Sequence, residues 1–368
     1  MRPFGIGDFA AACGLTPKAL RLYGELGLLV PAEVDAATGY RRYDGTQLPR
    51  ARLIAWLRGV GMPLSRIRVL CDLPPVAAAE ELGTYWRQVE ADVAARRETV
   101  AFLVDQLRRE DIAMTAAPSP IRLEHACCRD TGMVRTSQQD SVFAGTALFA
   151  VADGFQTPEP SDSDDGYHDT ASAVALRAIR YADATVPAAS LTTAVTEAFH
   201  AARTDVSHYI RSERGRCAGT TLTMMLWSGS DLALAHVGDS RAYLLRDGEL
   251  HLLTQDHTYV RSLVDEGRLT PAEAAVHPER FTLLRALPGD APDVEPDLHL
   301  RRARLHDRYV LCSDGVHAVL PDLAEPLRSA ATPGEAVRSI RKAVFAAGAP
   351  DNFACLVVDV CEPGLTGK

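Results

Sequence analysis

The chain of 368 residues is 47% apolar and 24% charged and has a formal net charge of −9. This composition is that of an ordinary globular protein and excludes disorder throughout, while the length favours about two domains. No apolar run approaches the roughly 18 residues that cross a bilayer, and the N-terminus lacks the long apolar stretch of a signal peptide. We therefore expect a cytoplasmic protein with no membrane partner.

Charge is distributed unevenly along the chain. Residues 1–70 contain ten Lys or Arg and five Asp or Glu, a balance of +5, so the other 298 residues carry −14. A basic head on an acidic body suggests that the head alone meets a polyanion. The eight cysteines form no CxxC pair, so neither a zinc ribbon nor a disulfide framework is indicated.

The first predicted elements form a helix-turn-helix. Residues 4–14 are typical of a short helix ended by glycine. Thr16 and Pro17 then supply an N-cap and a first-turn proline for a second helix at residues 18–26. A basic and aromatic turn at residues 38–43 is suited to gripping a nucleic-acid backbone as a wing, and two more helices are predicted at 48–60 and 63–70. The second helix and the turn supply the expected DNA contacts: Thr16, Lys18, Arg21, Tyr23, Tyr40, Arg41, Arg42 and Tyr43.

This head resembles the mercury-resistance-regulator (MerR) family of transcription factors. Matching pieces occur in order at residues 6–10, 16–23, 27–29, 39–43 and 57–64. The resemblance implies an all-α winged helix-turn-helix domain over residues 1–72, which binds double-stranded DNA at a palindromic promoter site. A helical domain with incidental arginines is the alternative.

A long helix is predicted next, over residues 76–112. MerR-like regulators pair through such a helix, so the resemblance implies a homodimer formed through residues 82–107. Packing of the apolar stripe of this helix, whose residues are given below, on the chain's own second domain is the alternative. Residues 113–121, with two prolines among small residues, are the predicted linker. The stripe is spaced alternately by four and three residues, as in a coiled coil: Leu82, Trp86, Val89, Val93, Arg96, Val100, Leu103 and Leu107.

Acidic residues follow or precede apolar runs at four places in the second half. Three runs end in an aspartate beside a glycine, at residues 153–154, 238–239 and 314–315, and Asp351 precedes a fourth run. A carboxylate at a strand end, beside a glycine that allows close approach, can present oxygen ligands to a cation. Clustered carboxylates need cations because they otherwise repel one another and raise each other's pKa. Ligation by oxygen alone favours Mg²⁺ or Mn²⁺.

Together with Arg135, Asp140 and the Gly-Thr-Thr sequence at 219–221, these motifs resemble the metal-dependent type 2C protein phosphatases, the PPM family. The resemblance runs over about residues 125–361. It implies an α+β domain at residues 122–363, a four-layer α-β-β-α sandwich. Apolar runs predict strands at 148–151, 222–226, 232–237, 309–312 and 353–360, and helices are predicted at 170–183, 188–211 and 333–347.

The resemblance also implies the roles of the site residues. Two core ions, Mn²⁺ or Mg²⁺, would acidify a shared water that attacks the phosphorus of a phosphoserine or phosphothreonine, and a third, weaker ion is left open. Arg135 would orient the substrate phosphate and Asp140 the water, so these two and Asp153 form the catalytic set. The implied metal-holding residues are Asp140, Asp153, Gly154 through its carbonyl, Asp314, Asp351, Gln139 and, for the third ion, Asp239.

Two departures from the family pattern bear on activity. Gln139 stands where many relatives have a metal-ligating glutamate, so we expect weaker metal affinity with activity retained. After Gly154 the chain continues with a polar, acidic segment at 155–169 in place of further glycines and a histidine, so leaving-group protonation would fall to water. We read this segment as a mobile loop.

Other residues of reactive type have simpler interpretations. We read His257, His277 and His317 as surface or hydrogen-bonded core residues rather than acids or ligands. Thr221 and Ser240 are read as turn and packing residues. Metal-sensing MerR-like proteins carry cysteines near the end of the dimer helix, but the adjacent Cys127 and Cys128 lie beyond the linker and do not fit that arrangement well.

Two functions remain open from the sequence. The first is a dimeric DNA-binding regulator that carries an active protein-serine/threonine phosphatase, a phosphoric monoester hydrolase. The second is a MerR-type regulator whose phosphatase-like body senses a metal or ligand with little or no turnover. Gln139 and the altered segment after Gly154 motivate the second function.

Overall fold

The computed structural model describes residues 3–35, 38–111, 121–156, 169–212, 218–266, 268–288 and 294–363. It divides into two compact units. One comprises residues 1–88 with 259–282, and the other comprises residues 89–258 with 283–368. The predicted linker at 113–121 and most of the predicted loop at 155–169 lie outside the described residues.

The head is built from helices and one small sheet. Thr16 caps the second helix, because its Oγ1 accepts a hydrogen bond from the Ala19 amide at 3.1 Å. The prediction of an all-α head is wrong in one respect, since three short antiparallel strands pair in the order β1-β3-β2. The elements are β1 Phe4–Gly5, α1 Ile6–Cys13, α2 Pro17–Glu25, β2 Glu33–Val34, β3 Arg41–Tyr43, α3 Leu48–Gly59, α4 Leu64–Asp72 and α5 Pro75–Asp111.

A buried ion pair joins α4 to the start of α5. The Nη2 of Arg66 lies 2.7 Å from a carboxylate oxygen of Glu81, and both side chains are about nine-tenths buried. The Arg66 guanidinium also covers the ring of Tyr85, 5.1 Å from its centroid. Because removal of one partner would leave a buried charge unpaired, this contact fixes the start of α5 against α4.

The second unit contains two five-stranded antiparallel sheets. Their strand orders are β13-β10-β9-β6-β5 and β12-β11-β14-β15-β4, and β7 pairs with β8 separately. The strands are β4 Arg122–Asp130, β5 Ser141–Ala144, β6 Leu148–Ala152, β7 Gly154–Gln156, β8 Ala218–Thr220, β9 Leu222–Ser228, β10 Asp231–Val237, β11 Arg241–Arg246, β12 Glu249–Leu252, β13 Asp297–Arg302, β14 Arg308–Cys312 and β15 Phe353–Cys361.

Helices accompany both sheets. The helices of this part of the chain are α6 Ala171–Ile179, α7 Leu191–Ser212, α8 Tyr259–Asp265, α9 Pro271–Val276, α10 Asp314–His317, α11 Ala324–Arg328 and α12 Pro333–Ala346. Of these, α8 and α9 belong to the first unit.

Alternate residues of the central strands enter different hydrophobic clusters, as the two-residue period of a strand requires. In β6, Leu148 and Ala150 pack with residues of α6 and α7, whereas Phe149 and Val151 join a cluster shared by both sheets. In β15, Leu356 and Val358 enter that shared cluster, whereas residues of the opposite face pack with α11 and α12. Each sheet therefore has one face toward the other sheet's side chains and one face toward helices.

The predicted strands and helices of this unit are present, with shifts of a few residues at their ends. The helix predicted at 170–183 ends as α6 at Ile179 and continues as a 3₁₀ turn over Arg180–Ala182. Among the helices of the described residues, none combines the length and apolar character that a membrane span requires.

Candidate functional site

The predicted acidic residues come together from both sheets. Asp153 follows β6, and Asp314 follows β14 of the other sheet. The Asp153 carboxyl interacts by hydrogen bonding with the carboxyl groups of Asp140 and Asp314. Asp239, after β10, and Asp351, before β15, are close enough to shift the pKa values of this group. Five carboxyl groups from a stretch of more than 200 residues thus form one acidic cluster, which comprises Asp140, Asp153, Asp239, Asp314 and Asp351.

Glycines beside the aspartates let neighbouring backbone approach closely. A Cβ on Gly154 would lie 2.5 Å from the Gln139 carbonyl oxygen, and one on Gly315 would lie 1.9 Å from the carbonyl oxygen of Asn352. Both distances are too short for any side chain. The sequence-based reading of these glycines is confirmed, since each allows the chain segment that carries one aspartate to pack against another.

Hydroxyl groups hold the cluster in place. Thr221 Oγ1 accepts from the Asp153 amide at 2.9 Å and lies 2.8 Å from the Ser240 hydroxyl. Ser313 Oγ donates to Asp140 Oδ2 at 2.6 Å. The interpretation of Thr221 and Ser240 as packing residues is therefore confirmed.

Asn352 is a site residue whose part sequence reasoning missed. Its side chain is buried, and its Nδ2 donates to the carbonyl oxygens of Thr131 and Ser137 at 3.0 and 2.9 Å. Its Oδ1 accepts from the Gln139 amide at 2.8 Å. Asn352 thus ties the loop that carries Arg135 to the start of β15. The only sequence signal was its place directly after Asp351.

Arg135 lies at the edge of the acidic cluster, and its side chain is 59% exposed. Its Nη2 contacts Asp351 Oδ2 at 2.7 Å, which raises the pKa of the guanidinium further. The predicted phosphate clamp is therefore beside the predicted ligands, but its guanidinium is engaged by one of them.

Gln139 contributes its backbone rather than its side chain to this region. Its carbonyl oxygen accepts from the Ser172 hydroxyl, and its Nε2 lies 3.5 Å from Ser137 Oγ. Within the part of the chain that the structure describes, the amide oxygen contacts no aspartate of the cluster, so metal ligation by Gln139 stays a prediction.

Burial and mutual repulsion make the acidic cluster hard to ionise. The pKa of Asp140 is raised to about 7, mainly by burial. The neighbouring carboxylates of Asp314 and Asp351 contribute to this rise, and the hydrogen bond from Ser313 opposes it. Burial and the neighbouring acids also hold the pKa values of Asp153 and Asp239 well above the usual range. Desolvation and like charge both disfavour the ionised form, and a bound cation would reverse both effects.

The donor set fits a divalent cation by its chemistry. The site offers oxygen donors and excess negative charge, which suit Mg²⁺ or Mn²⁺. Within the described ranges, no three His, Cys, Asp or Glu side chains are already arranged around a single point as a finished metal cage. The carboxyl groups instead hydrogen-bond in pairs, so cation binding would require them to turn from one another toward the ion.

His257 and His317 are hydrogen-bonded core residues, whereas His277 is partly exposed. Burial lowers the pKa of His317 to about 4, and its Nε2 donates to the Asp239 carbonyl oxygen at 3.0 Å. His257 Nδ1 accepts from the Gly238 amide at 3.0 Å. His277 Nδ1 accepts from the Glu279 amide at 3.2 Å. The predicted structural interpretation is confirmed for all three.

Cys127 and Cys128 lie next to each other on β4, so their side chains point to opposite faces of the sheet. Cys128 is in register with Cys355 on β15, and burial raises its thiol pKa to about 11. Two thiols on opposite faces cannot share one ion, which agrees with the poor fit expected from their position.

The candidate DNA-contacting residues of the head divide into two groups. Two of them are buried, and their expected outward position is wrong. Tyr23 is one helical turn after the buried Leu20 and shares its face. Tyr43 alternates with the exposed Arg42 along β3 and stacks on Phe9 with 4.6 Å between ring centroids. The exposed candidates are Thr16, Lys18, Arg21, Tyr40 and Arg42.

Arg41 is engaged within the head. Its Nη1 donates to the Arg21 carbonyl oxygen at 3.0 Å, and its Nη2 lies 3.5 Å from a Glu25 carboxylate oxygen. Arg41 therefore links β3 to the C-terminal part of α2, and Arg42 is the more accessible cation of the turn.

Two family models match the chain. Residues 4–73 match the MerR HTH family regulatory protein, and residues 132–268 match protein phosphatase 2C. The serine/threonine protein phosphatase PstP of Mycobacterium tuberculosis is 40% identical over 246 residues, which is 65% of this chain and 45% of that relative. The chain thus spans less than half the length of this relative.

Solved structures agree with the second match. The crystal structure of the M. tuberculosis phosphatase PstP/Ppp has 38% identity and a TM-score of 0.59, over 66% of this chain and 99% of that one. The PstP catalytic domain in complex with two manganese ions has 37% identity and a TM-score of 0.57, with the same coverage of both chains. The chain therefore belongs to the protein phosphatase 2C family, and its residues 4–73 are a helix-turn-helix region of the MerR regulatory family.

Proposed function

We propose that this chain is a DNA-binding transcriptional regulator that carries a metal-dependent protein-serine/threonine phosphatase. The observation that carries the proposal is the convergence of five aspartates beside Arg135 in a chain of this family. The proposed domains are a DNA-binding domain at 1–72, a dimerisation helix at 76–112, a linker at 113–121 and a phosphatase domain at 122–363. We describe the first as a winged helix-turn-helix and the last as a four-layer α-β-β-α sandwich.

The acidic cluster would hold two Mn²⁺ or Mg²⁺ ions. Asp153 and the Gly154 carbonyl, with Asp314 and Asp351, would be their ligands, Gln139 an additional donor, and Asp239 the holder of a third ion. The manganese-bound PstP structure supports this assignment. When bound, the ions would supply an acidified water for attack on phosphorus and would stabilise the developing negative charge.

The side chains of the chain itself provide position and charge. Ser313 holds Asp140 through its Oδ2, and Asp140 would orient the attacking water once the Asp153 carboxyl has turned from it toward the ions. Arg135 would exchange Asp351 for the substrate phosphate, for which its planar fork of donors is suited. Both ring nitrogens of His257 and the Nε2 of His317 already contact backbone and carboxylate groups. Because the segment after Gly154 also lacks the histidine of the family pattern, we expect solvent to protonate the leaving alkoxide.

Metal removal tests the enzymatic half. Purified protein should release phosphate from p-nitrophenyl phosphate and from phosphoserine and phosphothreonine peptides with Mn²⁺, lose this activity in EDTA, and regain it when Mn²⁺ is restored. Absence of release with either Mn²⁺ or Mg²⁺ would contradict the phosphatase. In that case, a change in DNA affinity with Mn²⁺ would support the sensor function.

The dimer proposal rests on α5. Four residues of its predicted stripe are exposed by 36 to 57%, namely Leu82, Trp86, Val93 and Val100. A second copy of the helix would cover them, as in a coiled coil. Two heads would then be available for the two halves of a palindromic DNA site.

Arg42→Ala tests the head. The exposed Arg42 cation should contact a phosphate, so its loss should weaken binding to all duplex sequences by a similar factor. It should also reduce the slope of log K against log salt by about 1 for each head. Lys342→Ala, which removes an exposed cation from α12, is the matched control. Gel-shift titrations at several salt concentrations would also give the stoichiometry, expected to be two chains per duplex. Binding that is indifferent to salt would contradict this account.

A further inference from the structure

The backbone of Gly238 and Asp239 is held by two histidines that are distant from it in sequence. The backbone amide of His257 donates to the Gly238 carbonyl oxygen at 2.8 Å, and its ring Nδ1 accepts from the Gly238 amide at 3.0 Å. One residue therefore satisfies both backbone polar groups of Gly238. His317 Nε2 donates to the next carbonyl oxygen, that of Asp239, at 3.0 Å.

His257 is itself firmly placed. Its Nδ1 accepts a hydrogen bond, and its Nε2 lies 2.9 Å from Asp297 Oδ2 and 2.8 Å from Arg285 Nη1. The other oxygen of Asp297 accepts from Arg285 Nη1 at 2.9 Å. The ring of His236 stacks on that of His257 with 4.9 Å between centroids. The His257 carbonyl accepts from the Leu284 amide at 2.8 Å.

We propose that His257 and His317 are positioning residues that set the Asp239 carboxylate for the third divalent cation of the proposed phosphatase. The inference rests on the proposed function. These contacts occupy both ring nitrogens of His257 and the Nε2 of His317, so the two histidines act on Asp239 through its backbone. A carboxylate ligand must be held to within about half an ångström of its productive place. Hydrogen bonds to the backbone on both sides of Asp239 supply that constraint, in the way that groups around a metal site orient its ligands.

Mn²⁺ titration of the full chain by calorimetry tests the proposal. The weak class of Mn²⁺ sites is the class that is missing in Asp239→Asn. In His257→Ala, which loses the ring contact to Gly238, we expect the affinity of this class to fall at least tenfold while the tighter class is unchanged. His257→Asn should stay within threefold of wild type, because its Oδ1 takes the place of Nδ1 and can accept from Gly238. His277→Ala, at a histidine without contact to the Asp239 peptide, is the matched control.

Three results would overturn the proposal: an unchanged weak class in His257→Ala, equal weakening of both classes, or an asparagine variant as impaired as alanine. If His257→Ala does not fold, the same comparison uses His317→Gln, which can donate to the Asp239 carbonyl, and His317→Met, which cannot. Equal affinities in that pair would also overturn it. If wild type hydrolyses phosphoesters but has no class of Mn²⁺ sites that Asp239→Asn removes, only the positioning role is refuted. Failure of wild type to hydrolyse any phosphoester refutes the proposed function instead.

Discussion

Asp153→Asn should abolish phosphate release while making the metal-free protein more stable. The substitution keeps the shape of the side chain but removes the charge of a proposed metal ligand. A loss of about 1,000-fold in kcat corresponds to about 4 kcal/mol of transition-state stabilisation, which is within reach of one such ligand. The gain in stability has a separate cause. The ionised Asp153 is desolvated beside Asp140 and Asp314, and an amide in its place carries no such cost.

Both effects can be measured on the same preparation. Initial rates with p-nitrophenyl phosphate at saturating Mn²⁺ give the loss of activity, and urea unfolding in EDTA gives the stability. Asp247→Asn is the matched control, because Asp247 is exposed in the β11–β12 turn with a positive φ of 52° that asparagine also accepts. Retention of more than a tenth of the activity in Asp153→Asn would contradict the assigned role.

The stability of the metal-free protein should fall as the pH rises from 6.5 to 8. A carboxyl group whose pKa is higher in the folded than in the unfolded state contributes stability below its unfolded pKa, about 3.9. That stability is lost as the pH rises through the folded value, which is about 7 for Asp140 and well above the usual range for Asp153 and Asp239. Each proton taken up on folding in this range costs about 1.4 kcal/mol per pH unit.

Two buried histidines set the lower end of this pH range. His236 and His317 stay neutral in the fold, with pKa values lowered by burial to about 3 and about 4. They reduce stability below about pH 6.5, where the unfolded chain binds their protons. Between pH 6.5 and 8, urea midpoints in EDTA should therefore report mainly the acidic cluster. Asp153→Asn should show a shallower decline, and excess Mn²⁺ should suppress the decline in wild type. A wild-type midpoint that rises over this window would rule out the cluster as described.

The local sequence pattern correctly predicted the buried strands of the site and the glycines that allow close approach. The apolar runs before Asp153, Asp239 and Asp314 are buried strands, and a buried strand can be recognised from its composition alone. The flanking glycines then indicated a close approach, although not what approaches. That these aspartates form one site was predicted from the family resemblance. Their spacing alone does not show that their strands lie in two different sheets.

The remaining errors and omissions have physical causes. Tyr23 and Tyr43 were assigned by residue type, whereas the helical and strand periods place both in the core. Asn352 and His257 act through partners that are distant in the sequence, for which no local signal exists. The strands β4 and β11 are only partly buried, so their apolar residues are too scattered to form a recognisable run.

The pairing of β15 with β4 has a consequence for how the protein is made. The two strands are in register from Phe353 opposite Asp130 to Cys361 opposite Arg122, so β4 waits for a partner that is synthesised more than 200 residues later. Asp351 and Asn352 arrive with that segment. On a ribosome the acidic cluster would stay incomplete until this segment has emerged. A chain broken off before that point would lack the proposed ligand Asp351, the tether of the Arg135 loop and the neighbour of β4 in its sheet. Phosphatase competence would therefore arise only after β15 has been synthesised.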